Sequence, residues 1–184
     1  MIVHINSYPG VGKFTIGRAL AELIGTKFLD NHSVFNVAFA LTEFRSPAFY
    51  DTVRAVREIA YQRVLELPPE MPVILANWFS QGSAWGEENW DRAIALAKER
   101  GCPLHVVLLA CSPEENERRI VSPGRAAKRK PQDVEMVGGN RRGRPLLDRG
   151  ADRLLRLDVT NLTPDAAARE IAAWLSDGRV SEGR

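Results

Sequence analysis

Ser7-Tyr8-Pro9-Gly10-Val11-Gly12-Lys13-Phe14-Thr15 is the stretch on which the reading of the fold turns. It follows a short apolar run, Ile2-Val3-His4-Ile5-Asn6, that reads as a buried strand. After it, from 13 to 24, the periodicity becomes helical, with Ile16, Leu20 and Leu23 on one face and Ala19 beside them; Gly25 stops the run. A strand, a glycine turn and a helix form the setting in which the pattern G-x-x-x-x-G-K-[ST] cradles phosphate. Here Ser7 replaces the first glycine and Phe14 the hydroxyl residue. Gly10 and Gly12 let the backbone curl so that successive N–H groups face inward. The helix that follows adds its positive end, and Lys13 is a point charge that can reach terminal phosphates. A tight turn with an exposed lysine would account for the glycines alone, but not for Gly-Lys-x-Thr between a first strand and a first helix.

Working outward, strands and helices alternate. Residues 26–29 form a second strand, ended by Asp30-Asn31-His32-Ser33. A helical region follows, then a longer helix from about Pro47 to Leu67 on Val53, Val56, Ile59, Ala60, Val64 and Leu67, closed by Pro68-Pro69. Residues 72–76 are a third strand; Asn89 is the expected cap of a helix to Arg100, with Gly101 as its stop. Residues 105–110 make a fourth strand, and Ser112-Pro113-Glu114-Glu115 is a capped helix start with an early proline and early acids. Residues 153–158 are a fifth strand, and Thr163-Pro164-Asp165 opens a last helix that buries Ala168, Ile171, Ala172 and Leu175. Apolar strands alternating with helices imply a parallel sheet covered on both faces. The expected fold class is therefore α/β: three layers, a five-stranded parallel sheet and one domain over 1–178, followed by a tail at 179–184. One insert breaks the rhythm. Residues 122–147 are basic, glycine- and proline-rich and weakly periodic, and read as a lid or a disordered loop.

Composition sets the bounds. The 184 residues are 45% hydrophobic and 26% charged, enough for one packed domain and unlike a disordered or fibrous chain. A net charge of +2 gives no reason to expect nucleic-acid binding. The charge is uneven, however: from Arg118 to Arg156 there are 12 Lys or Arg residues against Asp133, Glu135, Asp148 and Asp152, so an anion is expected near that region. Cys102 and Cys111 read as reduced, buried thiols. No Cys/His cluster has metal-site spacing. Without a positive leader before the first apolar run, or any run of membrane-spanning length, the expectation is a cytoplasmic protein with no membrane partner.

Pro9-Gly10-Val11-Gly12-Lys13-Phe14-Thr15 resembles the glycine-rich loop of P-loop small-molecule kinases, the shikimate and gluconate kinases and the nucleoside monophosphate kinases among them. The likeness runs over most of the chain in the order of elements. It implies the P-loop NTPase fold, with ATP and Mg²⁺ as cofactors and transfer of the γ-phosphoryl group to a hydroxyl of a small molecule. Nucleotide contacts fall on Pro9, Gly10, Val11, Gly12, Lys13, Phe14 and Thr15. With no hydroxyl at Phe14, the ion is held by phosphates and water, or Thr15 assists. Phe28-Leu29-Asp30-Asn31-His32 resembles the Asp-x-Asp segment of shikimate and gluconate kinases. Asp30 matches the first acid, implicated there in the Mg²⁺ network or in substrate binding, and His32 replaces the second. Asp30 would orient the acceptor hydroxyl or hold a metal-bound water, and His32 would accept or relay its proton.

Arg45, Arg54 and Arg57 fall in the region that binds the acceptor in related kinases; ordinary solvated arginines are the competing reading. No acid stands near Ala76, where nucleoside monophosphate kinases carry one. Asn77 is polar at the right edge for a water or the substrate, and Trp78, Phe79 and Trp85 suit an apolar wall. The lid, about 119–147, supplies the arginines that clamp the moving phosphoryl group: Arg118 and Arg125 match best, with Arg119 or Arg129 as substitutes. Asp158-Val159-Thr160-Asn161 resembles the segment that passes the base. Oligomeric state stays open between monomer and homodimer. Two further readings stand beside a kinase of this kind: an antibiotic-modifying phosphotransferase of the same fold, and a nucleotide-binding regulatory protein with little turnover.

Overall fold

The protein is described here from a computed structural model over residues 1–121 and 144–177. The elements run β1 (Ile2–Asn6), α1 (Lys13–Ile24), β2 (Lys27–Asp30), α2 (Asn31–Leu41), α3 (Pro47–Leu65), β3 (Val73–Asn77), α4 (Ala84–Glu99), β4 (Leu104–Ala110), α5 (Pro113–Ile120), β5 (Arg153–Asp158) and α6 (Pro164–Asp177). All five strands are parallel, in the order β2-β3-β1-β4-β5. β1 lies at the centre and every one of its residues is buried. Its Val3 and Ile5 join Leu20 of α1, Val107 of β4 and Ile171 of α6 in one core. Its Ile2 faces the other way, into a core with Tyr61 of α3, Leu75 of β3 and Trp90 of α4. The sheet is therefore sandwiched between helices, as the apolar strand pattern requires. β5 is an edge strand and alternates half-buried with exposed positions.

Helix ends follow local chemistry. Gly25, at φ +65°, closes α1. Ser46 and Ser112 accept hydrogen bonds from Phe49 N–H and Glu115 N–H to start α3 and α5. Three expectations need correction. Asn89 caps nothing: α4 begins at Ala84, where Ser83 Oγ accepts from Gly86 N–H at 3.2 Å, and Asn89 sits buried inside the helix. Leu23 is 52% exposed. The buried stripe of α1 runs Ile16, Gly17, Leu20, Ala21, because Gly17 brings the helix against Phe28: a Cβ there would lie 2.6 Å from the ring. Ile59 is 64% exposed, since α3 buries Phe49, Val53, Arg57, Tyr61 and Val64 instead. An arginine occupies the centre of that apolar stripe.

The insert is described only at its edges. Arg119 and Ile120 belong to α5, not to a loop. At the far edge Leu147 is buried, its N–H donates to Phe79 O, and Gln81 N–H donates to Pro145 O. Residues 122–143, with Arg125, Lys128, Arg129 and Lys130, lie outside the described residues, as does the chain beyond Asp177. None of the described helices is long and apolar enough to cross a membrane.

Candidate active site

The carboxyl ends of β1 and β3 lie side by side, and the helices that follow them, α1 and α4, leave to opposite faces of the sheet. Such a switch point opens a crevice, and both halves of the candidate site meet there. On one side is the 7–15 turn. Gly10 and Gly12 stand at φ +91° and +118°, in the region that admits glycine and strains other residues. A Cβ on Gly10 would fall 2.4 Å from Asn116 Nδ2 and 2.6 Å from Ile120 Cγ1, so only a hydrogen fits there. Lys13 folds back across the turn, and its Nζ donates to Ser7 O at 3.2 Å and Tyr8 O at 3.4 Å. Asn116 Nδ2 donates to Pro9 O at 3.0 Å, and Arg119 Nη1 to Val11 O at 2.7 Å. Tyr8 Oη donates to Arg144 O at 2.6 Å, tying the turn to the far edge of the insert.

Phe14 packs its ring 5.8 Å from that of Phe28, so the position that usually carries a hydroxyl is used as a wedge between α1 and β2. Thr15 is exposed on the first turn of α1. Among the described residues no three His, Cys, Asp or Glu side chains converge. The oxygens that Thr15 and Asp30 offer are too few for a dedicated protein cage and would suit only an ion that keeps most of its waters.

Across the crevice a narrow cavity of about 20 Å³ is lined by Asp30, Arg57, Tyr61, Asn77, Phe79 and Asn89, among others. Asp30 ends β2 and caps α2, its Oδ1 accepting from Ser33 N–H at 2.9 Å. Asn77 ends β3, and its Oδ1 lies 3.0 Å from His4 Nε2. An amide oxygen only accepts, so that ring nitrogen carries the proton, and the Asn77 amide is turned by a side chain buried beneath it. Burial pushes the His4 imidazole down to about 4, against a smaller upward pull from Asn77. Burial likewise pushes the Tyr61 phenol up to about 12. Arg57 Nη1 donates to Asn89 Oδ1 at 2.7 Å, and Asn89 Nδ2 donates to Trp85 O at 2.7 Å.

Asp30 and Asn77 are thus brought together, with Arg57 beside them. Other expected residues fall elsewhere. Arg54 grips Glu88 with Nε and Nη2, both at 2.8 Å, and reaches Asp51 at 3.0 Å. Those hydrogen bonds hold the Glu88 carboxyl below the usual carboxylate range, and the arginine staples α3 to α4. Arg45 is exposed, with its guanidinium 5.0 Å from the Phe44 ring centroid. His32 stacks on Phe39 at 6.5 Å, and neither it nor Trp78 is among the cavity's lining residues. Arg118 is exposed and paired with Glu115 at 2.7 Å through two nitrogens. Hydrogen bonds from Arg118 and then Arg119 pull the Glu115 carboxyl down to about 2.

Several residues escape a sequence reading. Asn6, fully buried, accepts from Phe79 N–H and donates to Phe79 O and Leu147 O, all at 2.9 Å. Its signal was a polar residue closing an apolar strand, and His4 gave another, a polar residue in the middle of the same strand. Asn116, inside a charged helix, gave none.

No known family profile matches the chain, and no curated protein matches it. Solved structures do. A putative kinase from Chloroflexus aurantiacus is 21% identical, with a TM-score of 0.70 over 96% of each chain. A tunicamycin resistance protein from Deinococcus radiodurans is 20% identical, with a TM-score of 0.60 over 95% of this chain and 94% of that one. An adenylylsulfate (APS) kinase from Mycobacterium tuberculosis, solved with AMPPNP and APS, is 17% identical, with a TM-score of 0.60 over 95% and 96%. The chain shares the three-layer α/β fold of these structures, two of which are described as kinases.

Proposed function

We propose that the protein is a single-domain phosphotransferase, spanning about 1–178, that moves the γ-phosphoryl group of ATP to a hydroxyl of a small molecule. The carrying observation is the turn at 7–15, with glycines in the positive-φ region at two positions and a lysine folded over its carbonyls; beside it stands a mainly apolar cavity at the carboxyl ends of β2 and β3 whose lining includes Asp30, Arg57, Asn77 and Asn89. Loop N–H groups and Lys13 neutralise the phosphates of the bound nucleotide. Asp30 and Thr15 would be the protein oxygens to help hold a Mg²⁺ ion, which would supply charge neutralisation at the transferring group. Asp30 orients the acceptor hydroxyl, and His32, beside it in the first turn of α2, accepts or relays its proton. Asn77 and Arg57 position the rest of the acceptor. Arg118 and Arg125 are the residues proposed to stabilise charge on the moving group. Positioning and electrostatics then do most of the catalysis.

A second reading concerns the acceptor. Phe35, which lines the cavity, packs with Phe49, Tyr50 and Trp85 in a ring cluster with edge and tilted contacts of 4.8–6.4 Å. That shell, with the likeness to a tunicamycin resistance protein, favours a bulky acceptor with an apolar body, such as an antibiotic. The test is ATP titration calorimetry combined with ADP release across a panel of hydroxylated acceptors, antibiotics included. Lys13→Ala is expected to lower acceptor-dependent turnover by about a hundredfold or more. Unchanged ATP affinity and turnover in that variant would refute the proposal, and nucleotide binding with no acceptor-dependent release would favour a regulatory protein.

A further inference from the structure

Resting on the phosphate-loop reading, we propose that Arg119 is the positioning residue that sets the shape of that loop. A backbone turn binds an anion through its N–H groups only if its carbonyls are turned away, because each C=O dipole aimed inward repels phosphate. In this loop the carbonyls are held by side chains. Lys13 takes Ser7 O and Tyr8 O, and Asn116 takes Pro9 O. Val11 O, the carbonyl one peptide before Gly12, is taken by Arg119 Nη1 at 2.7 Å. The guanidinium also lies 3.7 Å from where a Cβ of Gly12 would stand, so it packs against the turn at Gly12.

The planar fork suits this task. Nη2 of the same guanidinium donates to Val159 O at 2.9 Å, on the turn after β5, and Nε donates to Glu115 Oε1 at 2.6 Å. One side chain thereby joins the loop after β1, the helix after β4 and the turn after β5. The Glu115 carboxylate fixes the rotamer and offsets the charge. A lysine at this position would carry the charge but not the three directed bonds. Neighbouring Arg118 cannot substitute: it lies about 100° away round α5, exposed, and among the described residues it pairs with Glu115.

Titration calorimetry of inorganic tripolyphosphate, which has no base to contact, separates loop shaping from any contact with a nucleobase. With the full chain, Arg119→Ala is expected to weaken tripolyphosphate and ATP by similar factors, about tenfold or more. Arg119→Lys is expected to stay weakened, because charge alone does not hold the Val11 carbonyl outward. Tripolyphosphate affinity within twofold of wild type for a folded Arg119→Ala overturns the proposal, even if ATP affinity falls. So does full recovery in Arg119→Lys, which would assign the effect to charge; this variant also carries the test if the alanine variant fails to fold. A wild-type protein that binds neither probe refutes the phosphate-loop reading itself, and no variant is needed to see it.

Discussion

Removing the Asn6 side chain is expected to cost more stability than removing any other single amide in the described chain. Asn6 is wholly buried at the end of β1 and makes three hydrogen bonds of 2.9 Å, to Phe79 N–H, Phe79 O and Leu147 O. Each contributes about 1 kcal/mol net, and a buried N–H that loses its acceptor adds about 1–3 kcal/mol more. Asn6→Ala should therefore destabilise the protein by about 4–6 kcal/mol in urea unfolding followed by tryptophan fluorescence. Asn6→Asp sharpens the test. It preserves the shape and the acceptor for Phe79 N–H, but sets an oxygen against two carbonyls. An unpaired carboxylate there is disfavoured by burial, so its folded pKa rises above the unfolded value near 3.9. Between those two values the folded state binds more protons, so stability falls as pH rises through the window. Asn6→Asp should therefore be weakest at neutral pH and recover toward pH 4. An alanine variant within about 1 kcal/mol of wild type, or an Asn6→Asp cost that does not change with pH, would refute this account of how the two loops are fastened to the sheet.

Two further outcomes test the same architecture. The His4 pKa falls from its ordinary 6.5 to about 4 on burial, so the unfolded chain binds more protons between those values and stability declines as pH drops across them. Comparing urea midpoints of wild type and His4→Phe from pH 7 to 4 should show an extra loss of roughly 3 kcal/mol in the wild type; parallel profiles would remove His4 from the account. Gly10→Ala must accommodate φ +91° and a methyl 2.4 Å from Asn116 Nδ2. A loss of about 2–4 kcal/mol is expected, together with weakened ATP binding by calorimetry, and a variant matching wild type in both would show that the turn is not held as described.

What the sequence determined by itself was the α/β order and the place of the phosphate loop. Apolar runs, glycine stops and serine or threonine caps are local signals, and local backbone preferences and burial periodicity act over a few residues. They placed β5 and α1 at their observed ends, and Lys13 at the mouth of its turn. Which charged and polar groups lie inside was decided by the tertiary structure. In sequence Arg57 stands level with Arg45 and Arg54, acceptor-region or solvated alike; α4 singles it out by placing Asn89 and Glu88 against it. Arg118 and Arg119 are equivalent in sequence, yet the angle at which α5 meets the loop sends one to solvent and the other to the Val11 carbonyl. Asn6 gains its partners from residues 73 and 141 positions away. Hydrogen bonds across such separations depend on how the sheet stacks its strands, and periodicity along the chain carries no record of that.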